Sequence, residues 1–201
     1  MKVLLVGPES KEGGMSRYVK DLIDNNKDNE IYLFNTFHRT KDSVKTGQTS
    51  YGTMMNSGLQ RAIYGLLISL RNIVSFPFYL KSHNPDLVHL CGVSFGPFWE
   101  RTIYTLISKI FGKNTFLHYL GSFDQFYFSA SRFGKFLIRE SLKQVDTIAV
   151  LSQRTYNDIS EFINEDNIYL IRSSVDTTQI EARNYRDKAI PKILFIAGSN
   201  P

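Results

Sequence analysis

Residues 2–23, KVLLVGPESKEGGMSRYVKDLI, decide the fold of this 201-residue chain. The stretch begins with a short apolar run that ends at Gly7 and then passes through a polar turn containing Gly13 and Gly14. The apolar residues that follow recur at the spacing of a helix face: Tyr18, Val19, Leu22 and Ile23. A buried strand, a glycine turn and a helix in this order predict the first unit of a parallel α/β sheet.

The same alternation continues along the chain. Strands are predicted at 2–7, 30–36, 86–90, 114–120, 146–151, 167–173 and 192–198. Most of these runs are almost continuously apolar, which is typical of strands buried on both faces, and most connections are long enough for crossover helices. The sequence therefore predicts an α/β fold: a Rossmann-like, doubly wound parallel sheet with helices on both faces.

Two helices are predicted in more detail. Ser152 is expected to cap a helix over 153–163. The second helix should turn one apolar face to the core. That face consists of Ile103, Tyr104, Leu106, Ile107, Ile110 and Phe111. By contrast, 37–57 is polar and without period, which predicts a long functional or mobile loop.

The end of the chain predicts a domain boundary. Residues 181–191 are charged and end in a proline, as a linker does, and 192–198 read as a buried strand with three residues after it. We expect a domain over 1–180, a linker over 181–191 and the first strand of a further domain over 192–201. On this interpretation the chain is the N-terminal part of a longer protein and is inactive alone.

Composition narrows the class of partner. There are 24 Lys and Arg against 19 Asp and Glu, a net charge of +5, which favours anionic partners such as phosphates, acidic lipid or nucleic acid. No nucleic-acid-binding motif is present, so nucleic acid is not expected. The single cysteine, Cys91, excludes an internal disulfide and a cysteine-based zinc site. With no signal peptide and no apolar run long enough to span a bilayer, the expected location is cytoplasmic, at most peripheral to a membrane.

The stretch Gly13-Gly14-Met15-Ser16 is the first candidate site. Paired glycines let a ligand approach the backbone, and the N-terminus of a helix offers free N–H groups to a phosphate. The stretch matches neither the dinucleotide fingerprint nor the P-loop. A flexible strand-to-helix turn without a ligand is an equally good interpretation.

His118 is the second candidate, because it lies near the carboxyl end of a predicted strand, where open α/β sheets bind ligands. The alternative is a core histidine bonded to a nearby carbonyl. His89 lies inside a strand, and there the core interpretation is preferred, whereas His38 and His83 are expected to be exposed.

A basic stripe on a predicted helix is the third candidate. Four basic residues at helical spacing follow the aromatic run that contains Phe126: Arg132, Lys135, Arg139 and Lys143. A basic face beside aromatics suits an anionic membrane surface. The alternative is an ordinary solvated face. No nucleophile constellation and no metal-binding motif is found, so no metal and no cofactor are expected.

The ordered set of features resembles the N-terminal domain of the retaining, nucleotide-sugar-dependent glycosyltransferases known as group 1 or family 4. The resemblance rests on the Gly13-Gly14 turn, the 85–89 strand PDLVH, His118, the 146–152 strand DTIAVLS, and the 168–171 run that leads to Val175-Asp176. Two departures from the family pattern are Ser173-Ser174, where Asn-Gly is common, and the bulky Tyr119 after His118.

This resemblance implies one half of the two-domain GT-B architecture, the half that holds the acceptor. It implies transfer of a sugar from a nucleotide diphosphate sugar to a hydroxyl of a glycan or lipid-linked acceptor, in glycan or glycolipid synthesis. The glycine turn with Met15 and Ser16 would face the donor diphosphate, and His118 would be the catalytic residue that orients the sugar. Acceptor-binding residues would be Arg17, Tyr18, Arg39, Ser94 and Ser122.

Two alternatives stay open. The first is a sugar-nucleotide epimerase, which shares the two-domain architecture. The second is a non-catalytic module that binds an anionic surface through the basic stripe.

Overall fold

The computed structural model describes residues 1–9, 14–37 and 59–172, without the side chains of 59–64. The strands are β1 (Lys2–Gly7), β2 (Glu30–Asn35), β3 (Leu87–Gly92), β4 (Asn114–Tyr119), β5 (Thr147–Val150) and β6 (Ile168–Leu170). The helices are α1 (Gly14–Asn25), α2 (Leu59–His83), α3 (Gly96–Ile110), α4 (Phe123–Ser129), α5 (Arg132–Lys143) and α6 (Gln153–Ser160), and a 3-10 turn spans Glu165–Asn167.

The six strands form one parallel sheet in the order β2-β1-β3-β4-β5-β6. This confirms the predicted Rossmann-like α/β fold and six of the seven predicted strands. The seventh strand, the linker over 181–191 and most of the 37–57 loop lie outside the described residues. From β1 the chain continues to β2 at one edge of the sheet, and the later strands β3 to β6 are added on the other side of β1. The topological switch point of the sheet therefore lies between β1 and β3.

The sheet has a large core on one face and a small one on the other. Leu4 and Val6 of β1 join the large core, to which α2 to α6 contribute buried side chains such as Phe76, Tyr104 and Ile138. Leu5, the alternate residue of β1, joins a small cluster with Val19 of α1 and Cys91 of β3. The alternation of side chains along a strand thus separates the α1 face from the α2–α6 face.

Two aspartates fix the register at the amino ends of the strands. The carboxylate of Asp86 accepts the backbone N–H of Lys2 at 2.8 Å, and that of Asp146 accepts the N–H of Thr115 at 2.8 Å. Burial raises the pKa of Asp146, but hydrogen bonds from Lys109 and Thr115 outweigh it and hold that pKa below its usual range. Each carboxylate lies just before one strand and ties it to its neighbour.

The α3 helix is rotated relative to the sequence-based prediction. Its buried residues are Phe98, Arg101, Tyr104, Thr105 and Ser108, so only Tyr104 of the predicted face is fully buried. The prediction of the buried face was wrong because Thr105 and Ser108 donate their hydroxyls to carbonyls one turn earlier and can therefore lie inward. The apolar residues Ile103, Leu106, Ile110 and Phe111 are exposed instead.

Two smaller expectations have clear outcomes. Ser152 caps α6 as predicted, because its Oγ accepts the N–H of Thr155, although the helix ends at Ser160 rather than at 163. His83 is not free on the surface, since its ring stacks on Tyr79 with centroids 4.1 Å apart. Within the described part of the chain, no helix combines the length and the apolar character needed to cross a bilayer.

Candidate functional site

The carboxyl ends of β1 and β3 define the candidate site. In open parallel sheets, ligands bind in the crevice outside the strand ends at the switch point, because the connections on its two sides leave toward opposite faces. Here α1 follows β1 on one face and α3 follows β3 on the other. The site is therefore flanked by the amino end of α1 and by the connection that precedes α3.

The first turn of α1 carries three of the four residues predicted to face a diphosphate. Gly14, Met15 and Ser16 occupy its first positions, whose N–H groups have no acceptor within the helix. Gly13 lies outside the described residues. Ser16 is buried, whereas Met15 is half-buried and Gly14 is exposed.

Gly14 has open space around its backbone. Among the described residues, a Cβ at this position would meet no atom within 4 Å. A side chain here would oppose a ligand and not the fold.

His118 is joined to α1 by Tyr18. The Tyr18 hydroxyl hydrogen-bonds Nδ1 of His118, and the two rings pack edge to face with centroids 4.9 Å apart. The imidazole is only 2% exposed, and its Nε2 makes no hydrogen bond of normal geometry with the described residues. Tyr18 is one helical turn after Gly14, so the pair connects the carboxyl-end half of β4 to the first turns of α1.

Burial sets the protonation state of this pair. It lowers the pKa of His118, which the Ile171 backbone offsets in part, and it raises the pKa of Tyr18. The phenol is therefore protonated and the imidazole neutral at neutral pH. When the phenol donates to Nδ1, the neutral ring carries its proton on Nε2.

A second histidine shares this face. His89 of β3 has its ring 6.3 Å from that of His118, and burial, followed by the proximity of His118, lowers the pKa of His89 to about 3. Its Nε2 is also buried without a hydrogen-bond partner within the described part of the chain. Burial raises the pKa of Cys91, on the same face, to about 12, so its thiol is protonated and unreactive.

Ser94 and Ser122, two of the predicted acceptor residues, lie together beside the switch point. The Ser94 hydroxyl donates to the Ser122 carbonyl at 2.9 Å and accepts from the Tyr119 hydroxyl at 2.8 Å. Between them Gly121 leaves no room for a side chain, since a Cβ would come within 2.8 Å of the Ser94 backbone nitrogen. Tyr119 points into the large core, so its bulk does not narrow a cleft on the α1 face.

Phe95, next to Ser94, has a strained backbone that the sequence did not reveal. Its φ of 64° and ψ of −133° place a bulky residue in a region that favours glycine, at the N-cap of α3. Such conformations cost about 1–3 kcal/mol and concentrate at functional sites. The Phe95-Gly96-Pro97 run was a possible signal, because proline in the first helical turn marks an abrupt strand-to-helix transition.

Arg101 is the other residue that sequence reasoning missed. It is buried, its Nε donates to the Cys91 carbonyl at 2.9 Å, and its Nη2 donates to the Thr36 hydroxyl at 3.1 Å. Glu100 lies 3.3 Å from its Nη1. One guanidinium thus joins the carboxyl ends of β2 and β3 on either side of β1. A lone arginine within an apolar helix was the available signal.

Of the remaining predicted acceptor residues, Arg17 is not brought to this site. Arg17 is exposed on α1 and lies 3.9 Å from Asp21 in an ion pair. Arg39 lies outside the described residues, as does His38.

The predicted membrane stripe is only partly free. Phe126, expected at the surface, is 5% exposed and packs against Phe98, so its assignment to a membrane contact was wrong. The cause is that α4 turns this ring toward α3. Arg139 donates to the Tyr127 hydroxyl at 2.5 Å, and Lys135 lies 5.5 Å from the same ring.

The remaining stripe residues are at the surface. Lys143 pairs with Glu140 at 2.7 Å, and Arg132 is exposed. Residues 1–9, 14–37 and 59–172 contain no group of three or more His, Cys, Asp or Glu side chains placed to hold a metal ion.

Comparison with known proteins gives a likeness in fold. No protein-family model matches the chain. No curated protein sequence matches it either. Among solved structures it is similar to UDP-GlcNAc 2-epimerase from Methanocaldococcus jannaschii, at 14% identity and a TM-score of 0.47, over 85% of this chain and 45% of that one. The chain therefore spans about half the length of that enzyme.

Proposed function

We propose that this chain is the acceptor-side domain of a retaining glycosyltransferase, which transfers a sugar from a nucleotide diphosphate sugar to a hydroxyl of a glycan or lipid-linked acceptor. The observation that carries the proposal is the Tyr18–His118 pair. It sets a neutral, buried imidazole beneath the first turns of α1 at the switch point of a parallel sheet. The resemblance of the ordered motifs to the family 4 enzymes supports the same assignment.

The amino end of α1 is suited to the leaving diphosphate. Negative charge grows on that group as the glycosidic bond of the donor breaks. The N–H groups of Gly14, Met15 and Ser16 and the partial positive charge of the helix end stabilise it. Because these dipoles are fixed before the reaction, they need no reorganisation as the charge develops.

His118 would orient the donor sugar. A neutral imidazole whose Nδ1 is occupied by Tyr18 donates through Nε2 to a sugar hydroxyl. Burial excludes water from that bond and strengthens it. The competing role is that of a core histidine whose N–H is satisfied by the Ile171 carbonyl.

Substitution of His118 by Ala and by Gln in the full-length protein tests the assignment. We expect kcat to fall on the order of 100- to 1000-fold in the Ala variant, as for other positioned donors, with little change in nucleotide affinity. The Gln variant, which keeps an N–H donor, should regain part of the rate. If both variants lose thermal stability but keep the kcat of the folded fraction, His118 is a core residue.

Sugar-nucleotide epimerisation is the alternative function, and the solved structure described above is titled as an enzyme of that class. The two reactions have different products. A transferase releases one nucleoside diphosphate for each glycoside formed and depends on an acceptor. An epimerase interconverts two nucleotide sugars without one. Incubating the full-length protein with a panel of nucleotide sugars, with and without hydroxyl acceptors, separates them by mass balance.

A further inference from the structure

The α2 helix exposes an unusually apolar surface. Leu67, Leu70, Val74 and Phe78 follow one another at steps of three and four residues and are all largely exposed, Phe78 to 72%. The opposite side of the same helix carries Phe76 and Leu80, which are buried in the large core. The helix therefore has two apolar sides, of which only one is used for folding.

The neighbouring helix α3 repeats this arrangement. Its exposed residues Trp99, Ile103, Leu106 and Ile110 are spaced by four, three and four positions, and Ile110 is 82% exposed. The two helices pack against each other. Together the two rows form what we call the α2–α3 apolar surface, defined by these eight side chains. Exposed patches of large apolar side chains on soluble proteins usually mark a binding surface.

The charges that accompany this surface are positive. The sequence of α2 contains no Asp or Glu, and the exposed cations among its described side chains are Arg71 and Lys81. On α3, Glu100 is already paired with the buried Arg101. The surface is therefore apolar, is bordered by cations and has no carboxylate on α2. Such a surface is complementary to a partner that is both anionic and apolar.

We propose that the α2–α3 apolar surface lies on an anionic phospholipid bilayer, with both helices in the plane of the interface. Amphipathic helices of this composition insert their apolar face to the depth of the headgroup boundary, and their cations contact the acidic headgroups. Trp99, at the amino end of α3, has the amphipathic ring that prefers this boundary.

Charge favours a bilayer over a second copy of the chain. A two-fold interface through α2 would bring Arg71 and Lys81 of one copy near those of the other, and α2 has no carboxylate to pair with them. Like charges brought together in this way oppose association. A membrane with acidic headgroups satisfies the same cations directly.

Vesicle binding tests the proposal with a probe already on the surface. Trp99 is the only tryptophan of the chain, so its fluorescence reports this surface alone. We expect the emission of the protein to shift to shorter wavelength on phosphatidylcholine vesicles containing about 30% phosphatidylglycerol. The shift should be absent on pure phosphatidylcholine, and lipids brominated near the headgroup should quench the emission.

Matched variants separate this surface from the basic stripe of α5. Val74→Ser with Phe78→Ser should weaken vesicle binding at least 10-fold, and Arg71→Glu with Lys81→Glu should do the same and flatten the salt dependence. The controls on α5 are Phe133→Ser with Phe136→Ser, which remove two similarly exposed apolar side chains, and Arg132→Glu with Lys143→Glu, which reverse the same number of charges. These should leave binding within about 2-fold.

Three results would overturn the assignment. The first is wild-type protein that neither floats with anionic vesicles at low salt nor changes its Trp99 emission. The second is greater loss of binding in the α5 controls than in the α2 variants. The third is a concentration-dependent dimer that the Val74→Ser, Phe78→Ser protein cannot form, which would make this surface an interface between two copies. Circular dichroism of each variant checks that the exposed substitutions leave the fold intact.

Discussion

On the α2–α6 face, Thr115 and Tyr119 are buried polar residues that hydrogen-bond within the chain. On the same face, the Nη1 of Arg101 makes no hydrogen bond among the described residues, but it lies 3.3 Å from the carboxylate of Glu100 in an ion pair. On the α1 face, His89 and His118 each keep a buried Nε2 without such a bond among the described residues. A buried polar atom left unsatisfied costs about 1–3 kcal/mol, so it persists where it is compensated or used. The difference suggests that one face of the sheet supplies stability and the other supplies the site.

The largest expected effect is on the stabilising face. Phe76 is fully buried, and its ring packs against Phe34 and Tyr104. Phe76→Ala should lower the free energy of unfolding by about 3–5 kcal/mol through lost burial and the cavity left behind. Phe78→Ala, on the exposed side of the same helix, is the control and should change it by less than about 0.5 kcal/mol. Urea denaturation measures both, and equal losses would contradict the assignment of faces.

Gly121 and Gly14, both near the site, are expected to differ in whether a side chain harms folding or ligand binding. Gly121→Ala should cost about 1–3 kcal/mol of folding stability, because the new Cβ would collide with the Ser94 backbone. Gly14→Ala has open space and favours the helix, so stability should hold or rise slightly. If the first turn of α1 approaches a diphosphate, the Gly14 variant should nevertheless bind nucleotide sugar more weakly. Calorimetric titration of both variants checks this, and unchanged affinity for Gly14→Ala would remove the turn from the site.

Acid should weaken the histidine face first. The pKa of both histidines is lower in the folded chain than the unfolded value of about 6.5, so the unfolded state binds more protons as the pH falls. Stability is therefore complete above about pH 6.5 and is lost below it, on the order of 1–2 kcal/mol for His89 between pH 7 and 5. Asp146, whose folded pKa is below its unfolded value of about 3.9, loses its contribution only in stronger acid.

His89→Phe should flatten part of this pH dependence. The ring is retained against Phe116, with which His89 packs edge to face, while the titrating group is removed. Denaturant midpoints at pH 7, 6 and 5 measure the slope. A slope identical to that of the unsubstituted protein would mean that other groups carry the acid sensitivity.

The sheet was predicted well from the sequence because short, continuously apolar runs were interpreted as strands buried on both faces. In β3, Val88 and Leu90 on one face and Cys91 on the other are all buried. The strand can therefore be predicted without knowing which residues point to which face. Helix faces were harder. Apolar residues on α3 face water because Thr105 and Ser108 satisfy their hydroxyls within the helix and pack inward. Hydrophobic spacing shows that a helix is two-sided, but not which side contacts the sheet.

The sequence indicated where in the fold the candidate site lies, but not which side chains contact each other there. His118 was found because ligands bind outside the carboxyl ends of strands in open α/β sheets. Its partner, Tyr18, is 100 positions earlier, and no spacing in a single sequence joins the two. Phe126 was misplaced for a related reason, since an aromatic run cannot show which of its rings another helix, here α3, will cover.

The smallest expected effect is that of Tyr18→Phe, which tests whether Tyr18 positions His118 or only contributes to the fold. Tyr18→Phe keeps the edge-to-face ring packing and removes only the hydroxyl on Nδ1 of His118. The free energy of unfolding should fall by about 1 kcal/mol, the usual net value of one hydrogen bond. A phenol that donates to Nδ1 favours the neutral imidazole and so lowers the pKa of His118. Its removal should therefore raise that pKa and shift the acid limb of the kcat profile of the full-length protein to higher pH, with several-fold lower kcat and little change in KM. Tyr32→Phe serves as the control, because it deletes an exposed hydroxyl that hydrogen-bonds Glu30 on its own strand and should move neither quantity. A Tyr18→Phe protein that loses stability but keeps the acid limb of the unsubstituted protein would show that the hydroxyl only helps to pack α1 on the sheet. The two faces of the sheet would then differ in their contribution to stability alone.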